Sequence, residues 1–187
     1  RWALNVDLPR LVEVEADKRH YIEDGWEMYD TMLARFTFED NKIIEWDGKS
    51  RNAYNTYGSG RGVVIFGTKG SVFVNRSHYK LFNRNGELIE KITSRDEEGE
   101  VALGGGGNMS TLHVMNFFDA IRGKAVANAP IDDASVSMAM VHYANVSSRI
   151  KQNFEVDQKK GTMFNINAMN HWIKPYEESW KEKFLII

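Results

Sequence analysis

The apolar residues of this chain change their repeat partway along, and that change limits the folds open to it. Between residues 11 and 92 they recur at every second position in short runs, and after Ser110 at every third or fourth. The first repeat belongs to strands and the second to helices. Leu11 to Ala16 sets Val12 and Val14 against Glu13 and Glu15, as a half-buried strand does. Thr31 to Phe38 and Lys42 to Trp46 flank the turn Glu39-Asp40-Asn41. Val63 to Phe66 reaches Ser71 to Val74 through Thr68-Lys69-Gly70, and Tyr79 to Phe82 reaches Glu87 to Ile92 through Asn83-Arg84-Asn85-Gly86. Asn-Gly favours a tight hairpin because both residues tolerate positive φ. Turns this short join antiparallel neighbours, so the predicted sheet is a meander without βαβ units.

Residues 95–110, with Asp96-Glu97-Glu98 and Gly104 to Gly107, read as a mobile connector. Ser110 then caps a helix to Arg122 whose Val114, Phe117, Phe118 and Ile121 share one face, and Gly123 ends it. Pro130 and Asp132 or Asp133 open a second helix to about Ile150, with Val141, Ala144 and Ser148 as a small-residue stripe for packing on a sheet. Phe154 to Val156 returns to the sheet. Asn165 or Asn167 caps a last helix through Trp172, stopped before Pro175. The predicted class is α+β, a largely antiparallel open sheet with helices on one face, and the 187 residues suit one domain.

Composition excludes several functions. With 24 Lys+Arg against 26 Asp+Glu, the net charge of -2 exerts no bulk attraction on nucleic acid or anionic lipid. The absence of cysteine excludes disulfides, thiolate metal sites and a Cys nucleophile. No apolar run approaches the roughly 20 residues that cross a bilayer. The opening Arg1-Trp2-Ala3-Leu4 carries no targeting stretch and reads as a cut through a longer chain. An address signal would lie upstream, which leaves cytoplasm and periplasm equally open.

Gly58-Ser59-Gly60-Arg61-Gly62 imitates a dinucleotide fingerprint, but its glycines precede a strand, whereas a pyrophosphate is held at a helix N-terminus. The histidines, His20, His78, His113, His142 and His171, form no i+3 or i+4 pair, so no histidine metal site is expected. His142, Asn145 and Arg149 share a helical stripe, as do His113 and Asn116, and partners within the fold are the simpler reading of both. Phe36, Phe38 and Trp46 read as core or interface. The richer candidate is the loop Arg51 to Arg61. Asn52, Tyr54, Tyr57 and Arg61 combine amide, aromatic and cationic groups that suit a polyhydroxylated ligand, with rings stacking on Tyr and hydroxyls pairing with Asn and Arg.

Several phrases together resemble the Gfo/Idh/MocA oxidoreductases, the group of glucose–fructose oxidoreductase and inositol dehydrogenase. They are Arg1-Trp2-Ala3-Leu4 with Asp7-Leu8-Pro9; Trp46-Asp47-Gly48-Lys49-Ser50-Arg51-Asn52; Gly60-Arg61-Gly62-Val63 running into Phe66-Gly67-Thr68-Lys69-Gly70-Ser71; His113 with Asn116-Phe117-Phe118-Asp119-Ala120-Ile121-Arg122; and His142 with Asn145 and Arg149. The likeness spans nearly the whole chain and corresponds to the family's C-terminal domain. It implies a parent enzyme that uses NAD or NADP on a sugar or sugar-like polyol, with this domain supplying substrate contacts and the oligomer interface. The Rossmann half and the Asp-to-His catalytic segment would precede Arg1. Residues 1–187 alone are therefore expected to hold no cofactor and to catalyse no dehydrogenation. Some relatives cleave glycosidic bonds through transient oxidation, and a stand-alone carbohydrate-binding or assembly domain is the other reading.

Apolar residues on both parities of several strands, such as Val72 and Val74 against Phe73, predict a sheet with two apolar faces. One face would be covered by a second copy. The expectation is a homodimer, or a tetramer of such dimers, with the parity of Phe73 or Phe66 in the interface.

Overall fold

The computed structural model describes residues 1–20, 23, 25–93 and 107–173. The chain runs through β1 (Leu11–Asp17), β2 (Thr31–Thr37), β3 (Ile43–Lys49), β4 (Val63–Gly67), β5 (Gly70–Val74), β6 (His78–Asn83), β7 (Leu88–Thr93), α1 (Gly107–Ile121), α2 (Ile131–Ile150), β8 (Phe154–Asp157), β9 (Thr162–Met163) and α3 (Ile166–Trp172). The class is α+β, with every strand pairing antiparallel. The strands do not form one meander. They form a five-stranded sheet in the order β3-β2-β1-β8-β9 and a four-stranded sheet in the order β4-β5-β6-β7. Two compact units follow, Arg1–Arg51 with Ile131–Ile187, and Asn52–Pro130. Tight turns dictate neighbours only where they occur. None joins Lys49 to Val63, and the free edge of β1 is taken by β8 from far along the chain.

In the first unit one sheet face is dry. Val12, Met32, Ala34, Phe36 and Phe38 are buried there with Tyr143, Ala144 and Val146 of α2. The opposite face carries the ladder Glu13–Arg35–Glu45, in which the Arg35 guanidinium donates to Glu45 Oε1 at 2.7 and 3.0 Å. Leu33 and Ile43 are exposed on that same face, so the alternation of this sheet is incomplete. The contact stripe of α2 is not Val141, Ala144 and Ser148. Val141 is exposed, and Tyr143, Ala144 and Ser147 face inward. The Tyr143 hydroxyl donates to Gly161 O at 2.7 Å, and that ring, stacked at 5.0 Å on Trp172, sets the helix rotation. Of the three aromatic residues read as core or interface, Phe36 and Phe38 are in the core and Trp46 is not. It sits on the edge strand β3, 61% exposed, with its indole over Gly48, where an added Cβ would lie 2.5 Å from Nε1.

In the second unit the Asn83–Gly86 turn closes as expected, with Gly86 at φ 82°. A bulge between Leu81 and Phe82 places Ile89 as an extra residue in β7. Helix α1 begins at Gly107, before Ser110, and ends at Ile121, with Gly123 at φ 70° beyond it. In the first unit, α3 opens on Asn165, whose Oδ1 accepts from the amides of Asn167 and Ala168. The connector before Gly107 and the stop at Pro175 lie outside the described residues.

Candidate functional site

The loop that leads into β4 is shaped by its own polar groups. Asn52 Oδ1 accepts from the Tyr54 amide at 2.8 Å, so this side chain closes a turn. Thr56 and Ser59 bridge across Tyr57 and Gly58, which both take positive φ, 54° and 75°. The Ser59 hydroxyl donates to Arg61 O at 2.7 Å and accepts from Asn75 Nδ2 at 3.4 Å, tying the loop to the β5–β6 connection. Gly62 lies against Phe73, where an added Cβ would stand 2.7 Å from the ring. With the backbone held this way, Tyr54 projects 84% exposed and Tyr57 60% exposed, and Arg61 is also exposed.

Of the four residues expected to face substrate, one lines a cavity. Tyr57 borders a groove of about 520 Å³ with Phe66, Phe73, Phe82, Lys80 and Arg84. Asn52, Tyr54 and Arg61 do not line it. The groove follows from register. Val64 stands opposite Phe73, Phe66 opposite Ser71, Ser71 opposite Phe82 and Phe73 opposite Lys80, so these side chains share one face. Reading the parity of three consecutive hairpins together would have found this set in the sequence; reading each strand alone does not. Beside Phe73, at 5.7 Å between ring centres, lies His78. Its Nδ1 is 3.2 Å from Ser77 Oγ, and its buried Nε2 has no hydrogen-bond partner among the described residues.

Other candidates serve the fold. Gly58 to Gly62 run into the strand β4 and not into a helix, so they do not fit a dinucleotide pyrophosphate. In the first unit Asn145 Oδ1 accepts from the Tyr29 hydroxyl at 2.7 Å, and His142 meets Trp172 edge-on. In the second, Asn116 holds Val126 O and the Asn128 amide at 2.9 and 2.8 Å. Arg51, in the first unit, places its guanidinium 5.1 Å from the Trp26 ring centre. Among the described residues no group of three or more side chains could hold a metal ion, and no helix is long and apolar enough to cross a membrane.

The most enclosed charge among the described residues is Asp30, 3% exposed. Burial pushes its carboxyl pKa up, but hydrogen bonds from the His20 amide, the Thr31 hydroxyl and the Arg19 amide together hold it below the usual carboxylate range. It fastens the end of the β1–β2 connection.

No protein-family model and no curated protein matches this chain. Solved structures do. One is a protein of Thermotoga maritima provisionally assigned as an oxidoreductase, at 18% identity and a TM-score of 0.52, covering 79% of this chain and 40% of that one. Another is an oxidoreductase of Agrobacterium radiobacter in complex with NAD+, L-tartaric acid and magnesium, at 10% identity and a TM-score of 0.59, covering 80% of this chain and 43% of that one. The likeness is one of fold, and the chain spans about two fifths of the length of each.

Proposed function

We propose that this chain is the substrate-binding and oligomer-forming domain of an NAD(P)-dependent oxidoreductase acting on a sugar or sugar-like polyol. The observation that carries the proposal is the fold shared with about two fifths of an oxidoreductase that is in complex with NAD+ and a polyhydroxylated acid. The resemblance to the Gfo/Idh/MocA oxidoreductases points the same way. The cofactor would be held by another part of the parent, because Gly58 to Gly62 do not fit its phosphates. There a hydride would pass between a sugar carbon and the nicotinamide. This chain would contribute Tyr54, Tyr57 and Arg61 as exposed stacking and hydrogen-bonding groups. Asn52 would act mainly by shaping the loop, since its oxygen already accepts from Tyr54 N.

The test is kinetic. In the complete oxidoreductase, Tyr54→Phe and Arg61→Ala should lower kcat/KM for substrate while leaving cofactor affinity nearly unchanged. Each lost hydrogen bond costs about 0.5–1.5 kcal/mol, and more where the partner is charged. Unchanged specificity constants in both variants would remove these residues from the site.

The same reading includes assembly as a homodimer, or a tetramer of dimers, through an open sheet face. Phe73 itself is only 4% exposed, but Phe66 on the same face is 71% exposed. The opposite parity carries Val63, Ile65, Val72, Val74, Leu81 and Ile92, with Val63 59% and Ile92 50% exposed. We place the two-fold pairing on that opposite face, because the face of Phe66 and Phe73 also carries Lys80 and Lys91, charges that a second copy would have to bury.

A further inference from the structure

The groove of the second unit carries a charge pattern that a neutral sugar does not explain. Lys80 stands directly opposite Lys91 across β6 and β7, on the face of Phe73 and Phe82. Arg84, in the following turn, lines the same groove as Lys80. The acids nearby are directed elsewhere. Glu90 pairs with Leu81 on the opposite face, where its Oε1 accepts from the Tyr79 hydroxyl at 2.9 Å. Glu87 accepts from Asn83 Nδ2 at 2.6 Å. Among the described residues no carboxylate forms an ion pair with Lys80, Lys91 or Arg84. Like charges directly opposite on a sheet destabilise it. Here that arrangement sits beside an aromatic floor, where the groove screens charge less than open water.

We propose that this groove recognises the acidic group of a sugar acid or sugar phosphate, with the sugar ring lying against Tyr57 and Phe66 and its anion received by Lys80 and Arg84. The inference rests on the sugar reading above and narrows it to acidic sugars. Both anions share the chemistry, an oxyanion accepting charge-assisted hydrogen bonds from an ammonium and a guanidinium. Bound anion also offsets the Lys80–Lys91 repulsion, so occupancy should raise the stability of the second unit's sheet.

Calorimetric titration of the whole chain with D-glucose, D-glucuronate and D-glucose 6-phosphate tests this. At least one acidic sugar should bind about tenfold or more tighter than glucose, weaken in about 0.5 M NaCl, and lose that advantage in Lys80→Ala/Arg84→Ala. The preferred acid tells carboxylate from phosphate. Glu90→Gln, on the opposite face, should leave the preference intact. Thermal melts check the variant, which should be at least as stable as the parent once the repulsion is relieved. Equal binding of glucose and its acidic forms, or an unchanged preference in the double variant, overturns acid recognition and leaves the sugar reading standing. No binding of any of the three by a folded chain overturns both.

Discussion

Two buried side chains show how single groups couple this fold to pH. Tyr143 is fully buried, and burial pushes its hydroxyl up to about 12. A phenol raised in the folded state contributes stability that is fully present below the free value of about 10 and is lost as pH climbs toward the folded value. Chemical denaturation followed by circular dichroism should therefore show stability falling above about pH 10, with the Tyr143→Phe variant lacking much of that decline. At neutral pH the same variant should lose about 1 kcal/mol, because Gly161 O forfeits its donor. Asp30 works in the opposite direction. Its lowered carboxyl contributes stability above the usual carboxylate range, lost as pH falls through the depressed value. Asp30→Ala should be less stable at neutral pH and should flatten the acid side of the profile. Neither role was legible in the sequence, since each depends on partners that only the folded chain brings near, Gly161 for Tyr143 and the amides of Arg19 and His20 for Asp30.

The hairpins of the second unit depend on close backbone approach. A Cβ on Gly70 would lie 2.1 Å from Phe82 O, across the β5–β6 pair. Gly70→Ala should therefore part these strands at their end and destabilise by more than about 1 kcal/mol. Hydrogen exchange should accelerate at the amides of Ser71 and Phe82, and wild-type protection in the variant would refute the argument. The hairpin over Asn83–Gly86 and the end of α1 before Gly123 were readable from residue type, because positive φ has few suppliers. The inward stripe of α2 was not. Small residues lie on more than one side of that helix, and the burial of Tyr143 chooses among them. Trp46 stays out of the core for a related reason: its parity is that of the core, but its strand is an edge.

The two sheets differ in their faces. In the first, one face is buried against α2 and the other carries the Glu13–Arg35–Glu45 ladder, whereas in the second one face is largely aliphatic and the other sets aromatic rings beside Lys80 and Lys91. Light scattering on the chain should report a dimer or larger species. Val63→Lys together with Ile92→Lys should shift it to monomer, since both exposed side chains sit on the face proposed for pairing. A concentration-independent monomer in the unmodified chain would refute that pairing. Calorimetry with NAD(H) and NADP(H) is expected to show no useful binding, because the glycines of the one fingerprint-like stretch lead into β4. Micromolar affinity would sink the assignment of the cofactor to another part of the parent.

Local pattern was sufficient for the class of this protein. Period, tight turns and caps each act within a few residues, so the antiparallel pairs β2–β3, β4–β5 and β6–β7 and the three helices follow from neighbouring side chains. The loop holding Asn52, Tyr54, Tyr57 and Arg61 was visible for the same reason. The division into two sheets, the insertion of β8 beside β1, and the gathering of Phe66, Phe73, Phe82, Lys80 and Arg84 around Tyr57 were decided by tertiary structure. Those arrangements depend on which strand edge and which face find a partner, and burial between segments distant in the chain makes that choice.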